Sequence, residues 1–168
     1  GMPVALKKTE EGMRVQDRCY RMHLLKVGER VPDFTLSTPD GKEVNFYRFV
    51  KGKKCVILDF WASWCIPCRV SIIFLREIYK THGDSIRFIS ISLDQQEADW
   101  QKALKEEKLP WAQFRSLPEQ TKTFTEQYNL IGIPAFFIID SEGRIVFSGS
   151  SMNELTEQLP KMITNSTH

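Results

Sequence analysis

Four cysteines in 168 residues are too few to hold a fold together by disulfides. A chain of this length does not need them, because one domain can bury roughly 70% of its unfolded surface. Long apolar runs are also missing: no stretch approaches the ~18 residues that span a bilayer. Residues 1–27 mix charged and polar side chains without the apolar centre of a secretory signal. Gly1 ahead of Met2 reads as a cloning remnant, which leaves room for a native leader upstream. No basic run is interleaved with aromatics, and 23 basic against 21 acidic residues are spread along the chain, which argues against a nucleic-acid surface. His23, His82 and His168 have no metal-ligand spacing, and neither G-x-G-x-x-G nor a P-loop occurs. Repeats and low-complexity tracts are absent as well.

What is present is an alternation of strand and helix patterns from about Val27 onward. "VPDFTL" (31–36) and "EVNFYRF" (43–49) flank the turn residues Pro39, Asp40 and Gly41. "CVILDFWA" (55–62) is an apolar run broken by one acid, as expected of a strand buried on both faces. Residues 68–80 then read as a central helix, apolar over most of its surface. "IRFISISLD" (86–94) is a second strand, 96–108 an exposed amphipathic helix, 111–117 a short strand, and 119–130 a helix ending near Gly132. "PAFFIID" (134–140) and "RIVFSG" (144–149) flank "SEG" as a hairpin, and Ser151 with Glu154 has the spacing of a helix-capping pair. Strands alternating with helices give parallel units and the hairpin adds antiparallel strands, so the expected class is α/β, a mixed central sheet flanked by helices. The expected division is a helical extension over 1–26, lying on the domain, and one domain over 27–168; a membrane-surface or partner helix is the lesser alternative for the extension.

The chemistry concentrates in "WASWCIPCR" (61–69), where Cys65 and Cys68 lie one helical turn apart. A zinc clip requires a second ligand pair, whereas Cys19 and Cys55 are far apart in sequence; haem attachment requires His where Arg69 stands. A structural staple does not explain the placement. A strand running straight into a helix leaves Cys65 at the helix N-terminus, where unpaired backbone N–H groups and the positive end of the macrodipole favour a thiolate. Such sites lower a thiol pKa from ~8.5 into the ~3.5–7.5 range. The expectation is an exposed, attacking Cys65 and a deeper, resolving Cys68.

Three separated stretches carry a resemblance that spans about residues 27–163. "LDFWASWCIPCR" resembles the active-site segment of the thioredoxin superfamily. "VGERVPDFTLSTPDGKEV" resembles the lead-in of TlpA/ResA-type thiol–disulfide oxidoreductases, shared with peroxiredoxins. "GIPAFFIIDSEGRIVFSG" resembles their cis-proline strand and hairpin. The resemblance implies a thioredoxin-like fold, with Cys65 as nucleophile and Cys68 as resolving thiol. It implies Asp59 as a buried acid that moves protons to and from Cys68; burial would raise its pKa. It also implies that Pro134, after Ile133, is a cis-proline that holds an incoming polypeptide, with Trp64 beside the nucleophile and Pro67 between the cysteines completing the substrate surface. Packing remains an equal reading for Trp64, and Trp61 reads as core.

The departures are as informative. Where relatives carry Glu and Pro after the second cysteine, this chain has Ser71 and Ile73, so the helix should lack a proline kink. With Asp94 aligned to the family's strand-ending acid, the lysine that accompanies the buried carboxylate falls at Ser90, which leaves Asp59 without a cation. Ile66 and Pro67 offer no thiolate-stabilising histidine, which leans the direction towards a disulfide reductant. The expected cycle uses the Cys65–Cys68 disulfide and no other cofactor or metal. Its partners are a client protein with a disulfide or thiols and an upstream thiol electron donor, with a membrane-bound one among the candidates. Family likeness places it outside the cytoplasm, periplasmic or membrane-anchored. A peroxiredoxin-like peroxidase is the rival enzyme, weakened because Ala62 stands where Thr-x-x-Cys would put its hydroxyl. A non-catalytic binding module on the same fold is the rival from another class. Cys55 reads as a core thiol and Cys19 is unassigned.

Overall fold

A computed structural model describes residues 24–164. The helical reading of 1–26 therefore lies almost wholly outside the described residues, as does Cys19. Seven strands, β1 (Thr35–Ser37), β2 (Glu43–Asn45), β3 (Cys55–Trp61), β4 (Ile86–Ser92), β5 (Ala112–Arg115), β6 (Ala135–Asp140) and β7 (Ile145–Gly149), form one sheet in the order β2-β1-β5-β4-β3-β6-β7. Among the described residues five helices accompany them: α1 (Phe46–Val50), α2 (Ile66–His82), α3 (Glu97–Glu107) and α4 (Pro118–Gln127) between strands, and α5 (Met152–Thr164) after β7. β3, β4 and β5 run parallel, whereas β6 is antiparallel to β3, β7 to β6, and β1 to both β2 and β5.

β3 is the middle of this arrangement, and every one of its residues is buried. Side-chain alternation divides it between two cores. Cys55, Ile57 and Trp61 face a core with Cys68, Ile72 and Leu75 of α2, Trp100 and Ala103 of α3, and Leu155 and Leu159 of α5. Val56, Leu58 and Phe60 face the other, with Phe46 of α1 and Phe124 of α4. There Phe60 packs against Phe124, Tyr128 and Phe137 at centroid separations of 5.5, 5.4 and 5.9 Å. Such aromatic pairs contribute about 0.5–1.5 kcal/mol each beyond area burial. This cluster supports the loop that precedes β6.

Several elements differ from the sequence expectation, each for a local reason. Residues 43–49 are not one strand: Asn45 Oδ1 accepts the Arg48 N–H at 3.0 Å, which caps α1 and ends β2. α2 begins at Ile66, not 68, with Pro67 in its first turn, where a missing N–H costs nothing. It runs through Ile73 to His82 as one helix, but it is not central all round. Its inner face packs on β3, while Val70, Ile73 and Phe74 are exposed. α4 stops at Gln127 because Asn129 takes a left-handed conformation (φ 50°), and the Leu130 N–H then returns to the Thr125 carbonyl. The hairpin is as expected, with Gly143 at φ 86° in the β6–β7 turn.

Candidate active site

β3 ends at Trp61 and α2 starts at Ile66, so the four residues between them carry the chain off the C-terminal end of β3 and into the helix. Asp94, just beyond β4, fixes this loop. Its carboxylate accepts the Ser63 N–H at 2.9 Å, the Ser63 hydroxyl at 2.6 Å and the Ser92 hydroxyl at 2.6 Å, while the Leu93 N–H donates to the Trp61 carbonyl. Removing the carboxylate in Asp94→Ala strands these donors in a buried setting. The expected loss is about 2–3 kcal/mol, read as a lower urea midpoint with an unchanged m-value.

The loop delivers Cys65 as the N-cap of α2. Its backbone is extended (φ −89°), its carbonyl accepts the Arg69 N–H at 3.1 Å, and the Cys68 N–H points at its sulfur from 3.2 Å. Cys65 and Cys68 form a disulfide with their Cα atoms 5.2 Å apart. The asymmetry between them is narrower than the sequence suggests: Cys65 is 4% exposed and Cys68 1%. The expectation of an exposed Cys65 is therefore corrected for the oxidised chain. Its sulfur is bonded to Cys68, and Ile133 covers it, with the carbonyl oxygen 3.7 Å from Sγ. Trp64 stands out into solvent instead, 71% exposed, with Ile66 on the other side of the cysteine also exposed. Trp64 is thus surface, whereas Trp61 is core.

The Ile133–Pro134 peptide is cis and lies opposite the cysteine pair, at the N-terminal end of β6. Antiparallel pairing of β6 with β3 brings these loops together, because one strand begins where the other ends. Between them opens a groove of about 820 Å³, lined among others by Leu25, Pro67, Ser71, Tyr128, Ile133 and Pro134. Four of the residues expected at the site thus adjoin one another: Cys65, Pro67, Ile133 and Pro134. Tyr128 was not anticipated. It ends α4, lines this groove, and its buried hydroxyl has no hydrogen-bond partner among the described residues.

Asp59 lies beneath, on the β3 face shared by Ile57 and Trp61, the face on which Cys68 packs. It stands opposite Ser90 in the parallel β3–β4 ladder, and the Ser90 hydroxyl donates to Oδ2 at 3.1 Å. Trp111 Nε1–H in turn donates to Ser90 Oγ at 2.8 Å, which directs the serine proton towards the carboxylate. Burial drives the Asp59 pKa up to about 7, with the Ser90 hydrogen bond opposing it in part. No charged group among the described residues enters that balance, as expected from Ser90 standing in place of lysine. The Trp111 link was not legible, because 21 residues separate it from Ser90 and only the sheet joins them. Cys55 is a buried free thiol at the far end of β3, and desolvation pushes it up to about 11. Among the described residues no three Cys, His, Asp or Glu side chains gather to hold a metal.

The model of the Redoxin family matches residues 26–162, nearly the whole of the described chain. The chain belongs to the Redoxin family. Within it, this Redoxin protein is similar to the thiol-disulfide oxidoreductase ResA of Bacillus thuringiensis subsp. konkukian, 26% identical over 143 residues that cover 83% of this chain and 80% of that one. It is also similar to the thioredoxin-like protein YneN of Bacillus subtilis, 28% identical over 72% of this chain and 69% of that one. Among solved structures, the thioredoxin domain of a thiol-disulfide oxidoreductase from Bacteroides vulgatus superposes with a TM-score of 0.75 at 31% identity, covering 83% of this chain and 99% of that one. The sheet with its flanking helices is thus a thioredoxin-like fold of the TlpA/ResA type.

Proposed function

We propose that this Redoxin-family thiol–disulfide oxidoreductase acts as a reductant of protein disulfides through Cys65 and Cys68. The observation that carries the reading is the placement of Cys65 as the N-cap of α2, with the Cys68 N–H directed at its sulfur and Ile133–Pro134 across from it. In the reduced chain the Cys65 thiolate attacks one sulfur of a client disulfide. A Cys65–client bond forms, and the client's other sulfur leaves and is protonated by solvent. Cys68 then gives its proton to the Asp59 carboxylate and attacks the Cys65 sulfur, which releases the second client thiol. The client gains two electrons and the Cys65–Cys68 pair loses them, so an upstream thiol donor must restore the dithiol. Pro134, Ile133 and Pro67 line the groove where client backbone lies, and Trp64 flanks it.

The reducing direction is favoured because Ile66 and Pro67 put no cation or imidazole between the sulfurs to stabilise the dithiol form. The client is a protein with an accessible disulfide, and the setting is extracytoplasmic, periplasmic or membrane-anchored, with a thiol donor that a membrane can carry. No helix among the described residues is long and apolar enough to cross a membrane.

A Cys68→Ser variant tests the reading. Its reduced form should attack a client disulfide and stop at the mixed disulfide, seen as a covalent adduct at Cys65 by mass spectrometry without reductant. Adducts at other positions, or full client turnover by this variant, would remove the two-step scheme. Hydrogen peroxide consumption measured alongside separates the peroxidase alternative.

A further inference from the structure

A neutral hydrogen-bonded pair sits against the acid that the resolving step uses. Ser90 and Trp111 are both buried. Trp111 Nε1–H donates to Ser90 Oγ at 2.8 Å, and the Ser90 hydroxyl donates to Asp59 Oδ2 at 3.1 Å. An indole nitrogen is a donor only, whereas a hydroxyl has one proton and two acceptor positions. Trp111 therefore fills an acceptor position of Ser90 and can never take its proton. Gln113, the register neighbour of Ser90 on β5, makes no hydrogen bond to it. Among the described residues Asp59 is the side chain that receives the hydroxyl proton. That arrangement has a direction. A hydroxyl donates about twice as strongly to a carboxylate as to a neutral acceptor. A protonated Asp59 that turned its own proton to Ser90 would leave the serine proton unpaired in a buried setting, at a cost in free energy. Both effects favour the ionised acid.

We infer that Ser90 and Trp111 are positioning residues for the second exchange step, with Trp111 holding the Ser90 hydroxyl on Asp59 so that the carboxylate stands ready for the Cys68 proton. The inference rests on the exchange reaction above. In that step the proton passes from Cys68 to Asp59 and a Cys65–Cys68 bond forms. The Cys65–client bond breaks, and its electron pair leaves on the client sulfur. Only an ionised Asp59 accepts the proton, and Ser90 is the group that opposes the effect of burial on it. The elements packed on this face bring no rival charge. α2 brings Cys68 and Tyr79 as its titratable groups, the Tyr79 hydroxyl donating to the Pro110 carbonyl, and its Arg69 and Arg76 pair with Glu106 and Glu107 of α3. β6 brings Phe136 and α5 brings Leu155, with Glu154 and Glu157 of α5 exposed. Asp94, past the end of β4, is engaged by Ser63 and Ser92.

The test follows the reduced chain, in a Cys19→Ser background, reacting with dithiobis(nitrobenzoate), whose thiolate is coloured. One thiolate leaves when Cys65 attacks. A second leaves when Cys68 displaces it, at a rate independent of protein concentration. In the parent the second rate should rise through about pH 7. Ser90→Ala should lift the midpoint of that rise by about one pH unit. Its second phase then slows about tenfold at pH 6 and stays within about twofold of the parent at pH 9, with the first phase unchanged. Trp111→Phe keeps a ring against Tyr79 and Phe88 and should move the midpoint the same way by less. Ser90→Thr keeps the hydroxyl and should restore the parent profile. In the unaltered oxidised chain the Trp111 indole N–H resonance should shift with pH about the same midpoint, and stay still in Asp59→Asn. An unmoved midpoint in Ser90→Ala, or a slowing by one factor at every pH, overturns the inference. An indole resonance that ignores pH overturns the role given to Trp111, whether or not Trp111→Phe folds. A parent with no concentration-independent second phase strikes the exchange reading itself, and the positioning pair falls with it.

Discussion

A Cys65→Ser chain shows no measurable disulfide reductase activity, whereas Cys19→Ser retains it in full; this is the largest effect expected of any single change here. Nucleophilic attack on sulfur needs a thiolate. An ordinary thiol near pKa 8.5 is only about 3% ionised at neutral pH, and one stabilised at a helix N-terminus is largely ionised. A serine hydroxyl in its place is un-ionised throughout that range. Cys68 cannot stand in, because it lies inside the first turn of α2 and not at the N-cap, where the Cys68 N–H is directed at the Cys65 sulfur. Insulin reduction followed by turbidity, with both variants run beside the parent, is the measurement. Equal rates in the two variants would mean that the reacting sulfur had been assigned to the wrong position.

Asp59→Asn separates two consequences of one buried carboxyl. The folded-state pKa is about 7, raised by burial, against an unfolded value near 3.9. Between those values the folded chain holds a proton that the unfolded chain has released. Stability is therefore lost as pH climbs from about 4 through about 7, by up to about 4 kcal/mol at this site. The amide of Asn carries no such proton. Urea midpoints at pH 5 and pH 8 should thus fall for the parent and change less for the variant, leaving the variant the more stable of the two above neutrality. Parallel pH profiles would show that Asp59 does not titrate in this window. The kinetic consequence has the opposite sign. Without a carboxylate to take the Cys68 proton, release of client from the mixed disulfide should slow by about 10²-fold and lose its rise through pH 7, while the first attack by Cys65 is unaltered. A variant that is stabilised yet slow is the combined signature; a purely structural carboxylate would give only the first half.

Much of this site is written locally in the chain. The run from Cys55 to Trp61 could only be a strand covered on both sides, and its passage into Cys-x-x-Cys placed Cys65 at a helix start without reference to anything distant. The Ser-Glu-Gly turn announced the last hairpin for the same reason. What escaped depends on contacts that sequence spacing does not encode. Trp111 supports Ser90 across a parallel strand pair, Asp94 ties down Ser63 from the neighbouring strand, and Tyr128 reaches the groove because Asn129 ends α4 early. The helix Phe46–Val50 was hidden by an alternating pattern that also suits a strand, and a single capping bond from Asn45 settled it. Exposure of Val70, Ile73 and Phe74 was invisible for another reason: an apolar residue reads the same in sequence whether it faces a core or solvent.

The pairing of β3 with β6 has one more consequence. Six successive residue pairs, from Cys55 with Asp140 to Phe60 with Ala135, act as a ruler that sets how far Ile133 stands from Cys65. Slipping that ruler by one notch would turn Phe136 and Ile138 out of one core and Phe137 and Ile139 out of the other, a penalty no loop could absorb. The spacing between Cys65 and Ile133 is thereby insulated from drift on the helix exterior, and residues on the outer face of α2 can change while the cysteine pair stays where it is.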